Sequence, residues 1–115
     1  MQETRDYTET PDDLELLEFF ESEPIESEHS DGFWCYEHTD GDGVTLRLSC
    51  NALAKSVQTD LLVGGREVAS VVHEGAEVMK IENGVLQCSF VIGELTQLEL
   101  QVRPNVAVKW SSLRV

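Results

Sequence analysis

Runs of alternating apolar and polar residues, separated by two-residue turns, constrain this chain more than any other feature. Val44, Leu46, Leu48 and Cys50 alternate with Thr45, Arg47, Ser49 and Asn51, the pattern of a strand with one buried and one wet face. Val57, Thr59, Leu61 and Val63 begin a second such run, and Gly64-Gly65 leads from it into Val68–His73. Asn83-Gly84 joins Val78–Ile81 to Val85–Ile92 in the same way. A two-residue connection of this kind joins antiparallel neighbours, and glycine or asparagine there supplies the positive φ that matches hairpin twist. Phe33–Tyr36, the alternating Leu98, Leu100 and Val102, and Val106, Val108 and Trp110 after the Pro104-Asn105 turn bring the total to about eight short strands. Consecutive hairpins make an antiparallel meander, which must curl or fold over to bury its apolar face. The expected architecture is a β-sandwich or strongly curved sheet, with a half-open barrel as the alternative.

A different period precedes the strands. Thr10-Pro11-Asp12-Asp13 is a helix start signal, with Thr10 as cap, Pro11 at the first helical position and two aspartates at the positive end of the helix dipole. Leu14, Leu17 and Phe20, with Leu16 alongside, fall on one side at helical spacing and are expected to dock on the sheet. Glu18, Glu21 and Glu23 crowd the C-terminal end, where anions are unfavourable, so this helix requires tertiary contacts. Pro24 is expected to end it, and residues 22–32 read as a loop. The fold class is therefore mainly β with one N-terminal helix (α+β). The chain of 115 residues is expected to form one domain: a mobile tail over 1–10, an acidic amphipathic helix over 11–22 and an antiparallel β body over 33–115.

Charge is distributed as unevenly as hydropathy. Residues 1–42 hold 15 acidic residues and a single base, Arg5, for a formal charge of −14. That is the charge of the whole chain, because residues 43–115 hold seven acids and seven bases. Such a chain repels nucleic acids and anionic membranes and attracts cationic protein surfaces, including those built to grip phosphate. The carboxylates of Asp12, Asp13, Glu15, Glu18, Glu21, Glu23, Glu26, Glu28 and Asp31 follow one another closely. In the helical part they project at about 1.5 Å rise per residue, and an acidic helix can present a linear charge density comparable to that of DNA, about one charge per 1.7 Å. These nine are the candidate partner-binding residues, with Trp34 and Tyr36 as apolar anchors and the Tyr36 hydroxyl at a rim. The expected partner is a basic protein, with no direct nucleic-acid or membrane binding. An exposed edge strand could pair two copies, so the expected state is monomer or homodimer.

The start MQETRDYTET lacks the apolar stretch of a secretory signal, and no apolar run is long enough to cross a bilayer. Cys35, Cys50 and Cys88 match no metal-ligand spacing and read as buried free thiols in a reducing cytoplasm. Asp40-Gly41-Asp42-Gly43, with His38 nearby, could wrap a hard cation. It lacks the further ligands of a calcium loop and reads as a hairpin turn. Cys35 and His38 could form a catalytic pair by composition, but three residues apart on one strand they point to opposite faces. No nucleophile, phosphate-loop or zinc-helix motif is present. No catalytic residue, metal or cofactor is expected, and the chain reads as a binding protein.

In size, acidity and lack of catalytic motifs the chain resembles bacterial toxin-immunity proteins. The resemblance implies a cytoplasmic inhibitor that neutralises a cationic toxin, such as a nuclease, by stoichiometric occlusion. Acidic side chains would cover the toxin's phosphate site while Trp34 or Tyr36 supplies the anchor. The alternatives are a phage-type nucleic-acid mimic, a β-sandwich module for a small ligand or sugar, and a docking helix, Leu14–Phe20, on an inert carrier.

Overall fold

The structure is a computed structural model that describes residues 10–28, 32–51, 54–92 and 94–113. The tail expected before residue 10 lies outside them. Among the described residues one helix, α1 (Asp13–Phe20), precedes nine strands: β1 (Glu26–Glu28), β2 (Phe33–Thr39), β3 (Val44–Asn51), β4 (Ser56–Val63), β5 (Arg66–Glu74), β6 (Ala76–Glu82), β7 (Val85–Ile92), β8 (Glu94–Gln101) and β9 (Ala107–Leu113). All pairings are antiparallel, in a five-stranded sheet of order β1-β2-β3-β4-β5 and a four-stranded sheet of order β6-β7-β8-β9. The fold is mainly β with an N-terminal helix, as the alternation predicts. The strand missing from the sequence reading is β1, which lies in the segment read as a loop. Its Glu-Ser-Glu has low strand propensity, but β2 offers it an open edge, and pairing starts where Ile25 N–H donates to the Cys35 carbonyl at 2.8 Å.

The meander is broken once, at Gly75. There the chain leaves the first sheet and enters the second with φ of 79°, a conformation that favours glycine. The N–H groups of Gly75 and Ala76 both donate to the Lys55 carbonyl, at 2.9 and 3.0 Å, which pins the corner to the turn between β3 and β4. The two-residue turns behave as expected: Gly64, Gly65, Asn83 and Gly84 all have positive φ. Leu46, Leu48 and Cys50 of β3 and Val57 of β4 share one core with Leu86, Cys88 and Phe90 of β7 and Leu98 and Leu100 of β8. The two sheets thus bury their inner faces against each other, the sandwich solution to an apolar meander.

Helix α1 closes this core, on a face different from the expected one. Leu16, Phe19 and Phe20 are buried, whereas Leu14 is 60% and Leu17 37% exposed. The i, i+3, i+4 set starting at Leu16 carries both aromatic rings, and burying these removes more apolar surface than burying Leu14 and Leu17. Phe20 stacks on Tyr36 with ring centroids 5.3 Å apart. The helix is therefore part of the core rather than a motif carried on an inert body. Its ends also differ from expectation. Asp12, not Thr10, is the cap: its carboxylate accepts from Glu15 N–H at 2.8 Å while the Glu15 carboxylate accepts from Asp12 N–H at 3.0 Å. This reciprocal pair satisfies two free donors at once, which Thr10 with Pro11 behind it cannot do. The helix stops at Glu21, in the left-handed conformation, well before Pro24.

This arrangement separates two otherwise similar truncations. Phe20→Ala or Leu16→Ala should cost about 3 kcal/mol in urea unfolding, and Leu14→Ala should stay within about 0.5 kcal/mol of the parent.

Candidate functional site

Because α1 turns Leu14 and Leu17 away from the core, they wall a groove of about 550 Å³ between the helix and the start of β2. Pro24, Phe33 and Trp34 form its other apolar surface, Ser27 and Gly32 complete its lip, and Asp13 and Glu23 stand on it. Trp34 is half-buried against the core and meets Tyr36 edge-on at 5.5 Å. Tyr36 is 2% exposed, which corrects the expectation of a hydroxyl at a rim: it is the floor of the groove. Its residue parity sends it inward opposite Leu48. Burial pushes the Tyr36 phenol above its ordinary pKa, and the nearby Asp13 and Glu23 carboxylates raise it further. The same negative field reaches anything seated above Tyr36.

The remaining acids do not form one array. Asp12 and Glu15 are joined in the helix cap. Glu21 pairs with Arg103 at 3.0 Å, and the same guanidinium donates to the Glu18 carbonyl at 3.3 Å. Glu18 lies with Glu15 beside Arg103, away from the groove. Glu26 and Glu28 stand exposed on the edge strand β1, and Asp31 lies outside the described residues. Of the sequence candidates, the groove therefore gathers Asp13, Glu23, Trp34 and Tyr36. Sequence reasoning missed Pro24 and Phe33, and it had Leu14 and Leu17 docked on the sheet or, in one alternative, as part of a docking helix. The phase of the helical stripe was the available signal, and it depends on which leucines the aromatic rings displace from the core.

Arg103 supplies what the helix lacks locally, a cation at its negative end. The His38 ring adds a second partner there: Nδ1 lies 3.1 Å from the Phe20 carbonyl, which can only accept, so Nδ1 carries the proton. Ser22 Oγ donates to the Glu37 carbonyl at 3.2 Å and ties the exit to β2.

The groups that might carry chemistry are engaged elsewhere. Asp40 accepts from the N–H groups of Asp42, Val44 and Val106 at 2.9, 3.1 and 2.8 Å. Asn105 donates to Asp42 at 3.0 Å. The acidic loop is thus a turn that clasps the β8–β9 connection. The Val106 N–H, followed by Val44, holds the Asp40 carboxyl below the ordinary aspartate range. Among the described residues no cluster of three or more metal-ligating side chains occurs. Cys35 faces away from His38 and accepts from Ser49 Oγ at 3.3 Å, while burial pushes the Cys50 and Cys88 thiols up to about 11 and about 12. The His73 ring stacks on Phe90 at 4.8 Å, and burial lowers its pKa.

The same architecture has been seen before. It matches a chain of the contact-dependent growth inhibition toxin–immunity protein complex from Klebsiella pneumoniae 342, with a TM-score of 0.84 over 95% of this chain and 100% of that one. Sequence identity is 21%, so the likeness establishes the fold. No family model and no curated protein matches the sequence. Among the described residues no helix is long and apolar enough to cross a membrane.

Two substitutions test the contacts that tie the β8–β9 connection to the helix and to the turn after β2. Arg103→Ala should lower stability by about 0.5–1 kcal/mol, with a smaller loss in high salt, because the pair with Glu21 is half exposed. A carboxyl whose pKa is depressed on folding stabilises above its ordinary range, and that stability is lost as pH falls through the lowered value. Asp40→Asn should therefore lower stability at neutral pH and flatten its decline in acid, read by thermal melts across a pH series.

Proposed function

We propose that this chain is a bacterial immunity protein that binds a cationic toxin, such as a nuclease, one to one and blocks it by occlusion. The observation that carries the reading is the acid-rimmed apolar groove on a scaffold shared with a toxin–immunity complex. The toxin side of such a complex fits this chain poorly. A formal charge of −14 opposes approach to a phosphate polyanion, and the buried cysteines, whose thiols burial holds protonated, are poor nucleophiles. The inhibitor side fits the charge. Lysine or arginine side chains that hold substrate phosphate in the toxin would meet Asp13 and Glu23, and an apolar neighbour would enter between Leu14, Leu17 and Trp34. Dense negative charge in the first third of the chain speeds encounter, and the desolvated groove slows release. Action in the cytoplasm accords with three unpaired, buried thiols.

The test is titration of the full chain into the toxin domain encoded beside its gene. Toxin activity should fall to zero near one equivalent, and binding should weaken as salt rises. Leu14→Lys places a cation on the exposed wall of the groove and should raise Kd roughly tenfold or more, since a buried interface anchor contributes about 2 kcal/mol. Asp13→Asn with Glu23→Gln should mainly slow association and reduce the salt dependence. Undiminished toxin activity in excess inhibitor would refute the proposal.

A further inference from the structure

The floor of the groove carries a group that core packing does not explain. Tyr36 is almost wholly buried, its ring fixed by stacking on Phe20 and by the edge contact with Trp34. Among the described residues no group hydrogen-bonds its hydroxyl. A desolvated hydroxyl left unpaired is costly, and phenylalanine would fill the same place without that cost. Thr59 Oγ1 and His73 Nδ1 also lack partners, but they are sealed from the surface. The Tyr36 oxygen is not sealed, because Tyr36 lines the groove.

Two carboxylates share that space. Asp13, in the first turn of α1, and Glu23, beyond its exit, both line the groove. After burial itself, they are the groups that raise the Tyr36 phenol, so their field falls on its oxygen. Among the described residues neither is held in an ion pair: Arg47, Lys80 and Arg103 take Glu37, Glu82 and Glu21 instead. Three acceptor groups thus border one space that the chain fills with no cation of its own. Its sides are the exposed Leu14 and Leu17 and the half-buried indole of Trp34.

The chemistry that complements this lining is narrow. An apolar side chain would strip water from both carboxylates and the phenol and return no hydrogen bond. An ammonium supplies charge, but it is compact and strongly hydrated, and apolar walls tax it most. A guanidinium sheds water more readily, lies flat on an indole, and spreads five donors over a planar fork that can reach separate acceptors. Its apolar stem suits a passage between leucines. We propose that the groove seats one arginine side chain of the partner, its stem along Leu14 and Leu17 and its guanidinium on Trp34, shared among Asp13, Glu23 and the Tyr36 hydroxyl. The proposal rests on the immunity reading for the partner, a toxin, and adds which of its side chains enters.

Two experiments on the full chain test it. Titration with the N-acetyl amides of arginine, lysine and leucine, followed by the NMR signals of Trp34 and Tyr36, reads the groove without toxin. Arginine amide should bind several-fold more tightly than lysine amide, and leucine amide should leave the signals in place. Tyr36→Phe removes an unpaired hydroxyl, so its melting temperature should match or exceed that of the parent. A merely structural tyrosine would show nothing more. Here Tyr36→Phe should also erase the preference for arginine amide and weaken toxin binding roughly tenfold, the loss of one hydrogen bond to a charged group. One arginine-to-lysine substitution in the toxin should weaken binding to a similar degree, and combined with Tyr36→Phe the two losses should not add. Equal response to lysine amide, or any response to leucine amide, overturns the proposal. So does parental affinity of Tyr36→Phe for a toxin that the parent inhibits. An uninhibited toxin beside a retained arginine preference would overturn the immunity reading alone.

Discussion

Burial of Leu16, Phe19 and Phe20 over Tyr36 holds a self-repelling segment against the sheet, and the rest of the N-terminal architecture depends on it. Residues 13–20 make too short a helix to persist alone, and Glu18 and Glu21 crowd its negative end. The aromatic contacts supply the missing stability. They also set the rotation of the helix, which turns Leu14 and Leu17 outward and Asp13 toward Glu23. The groove is thus a by-product of core packing: the residues lining it are those the core did not take.

Long-range polar contacts then lock this geometry. Arg103, from the connection after β8, reaches the C-terminal end of the helix, and Asp40, from the turn after β2, captures the Val106 N–H. Both contacts join the first sheet or its helix to the segment between β8 and β9. The individual pairs are weak in solvent. Their effect is positional, because they hold the two layers in register around one shared core. The charge pattern follows from the same layout: the described acids of the first third gather at the β1–β2 edge and the nearby helix and turn, while β5 at the opposite edge is nearly neutral at its centre.

Much of the fold was legible because strand alternation and hairpin turns are local signals. Gly64-Gly65 and Asn83-Gly84 specify their turns through backbone conformation alone. The candidate site was less legible. Trp34, Tyr36, Asp13 and Glu23 could be singled out by type, but Tyr36 was expected at a rim and forms the floor. Strand β1 was missed because Glu-Ser-Glu has no intrinsic strand preference and pairs only where β2 presents an open edge.

By itself the sequence determined the strand periodicity, the tight turns and the lopsided charge, since each depends on neighbours along the chain. The tertiary structure decided where the meander breaks at Gly75, which face of α1 is buried and which carboxylates are spent on caps and ion pairs. Those outcomes turn on competition for a shared core and on partners as distant as Arg103, and no local pattern encodes which residue wins a place that several could fill.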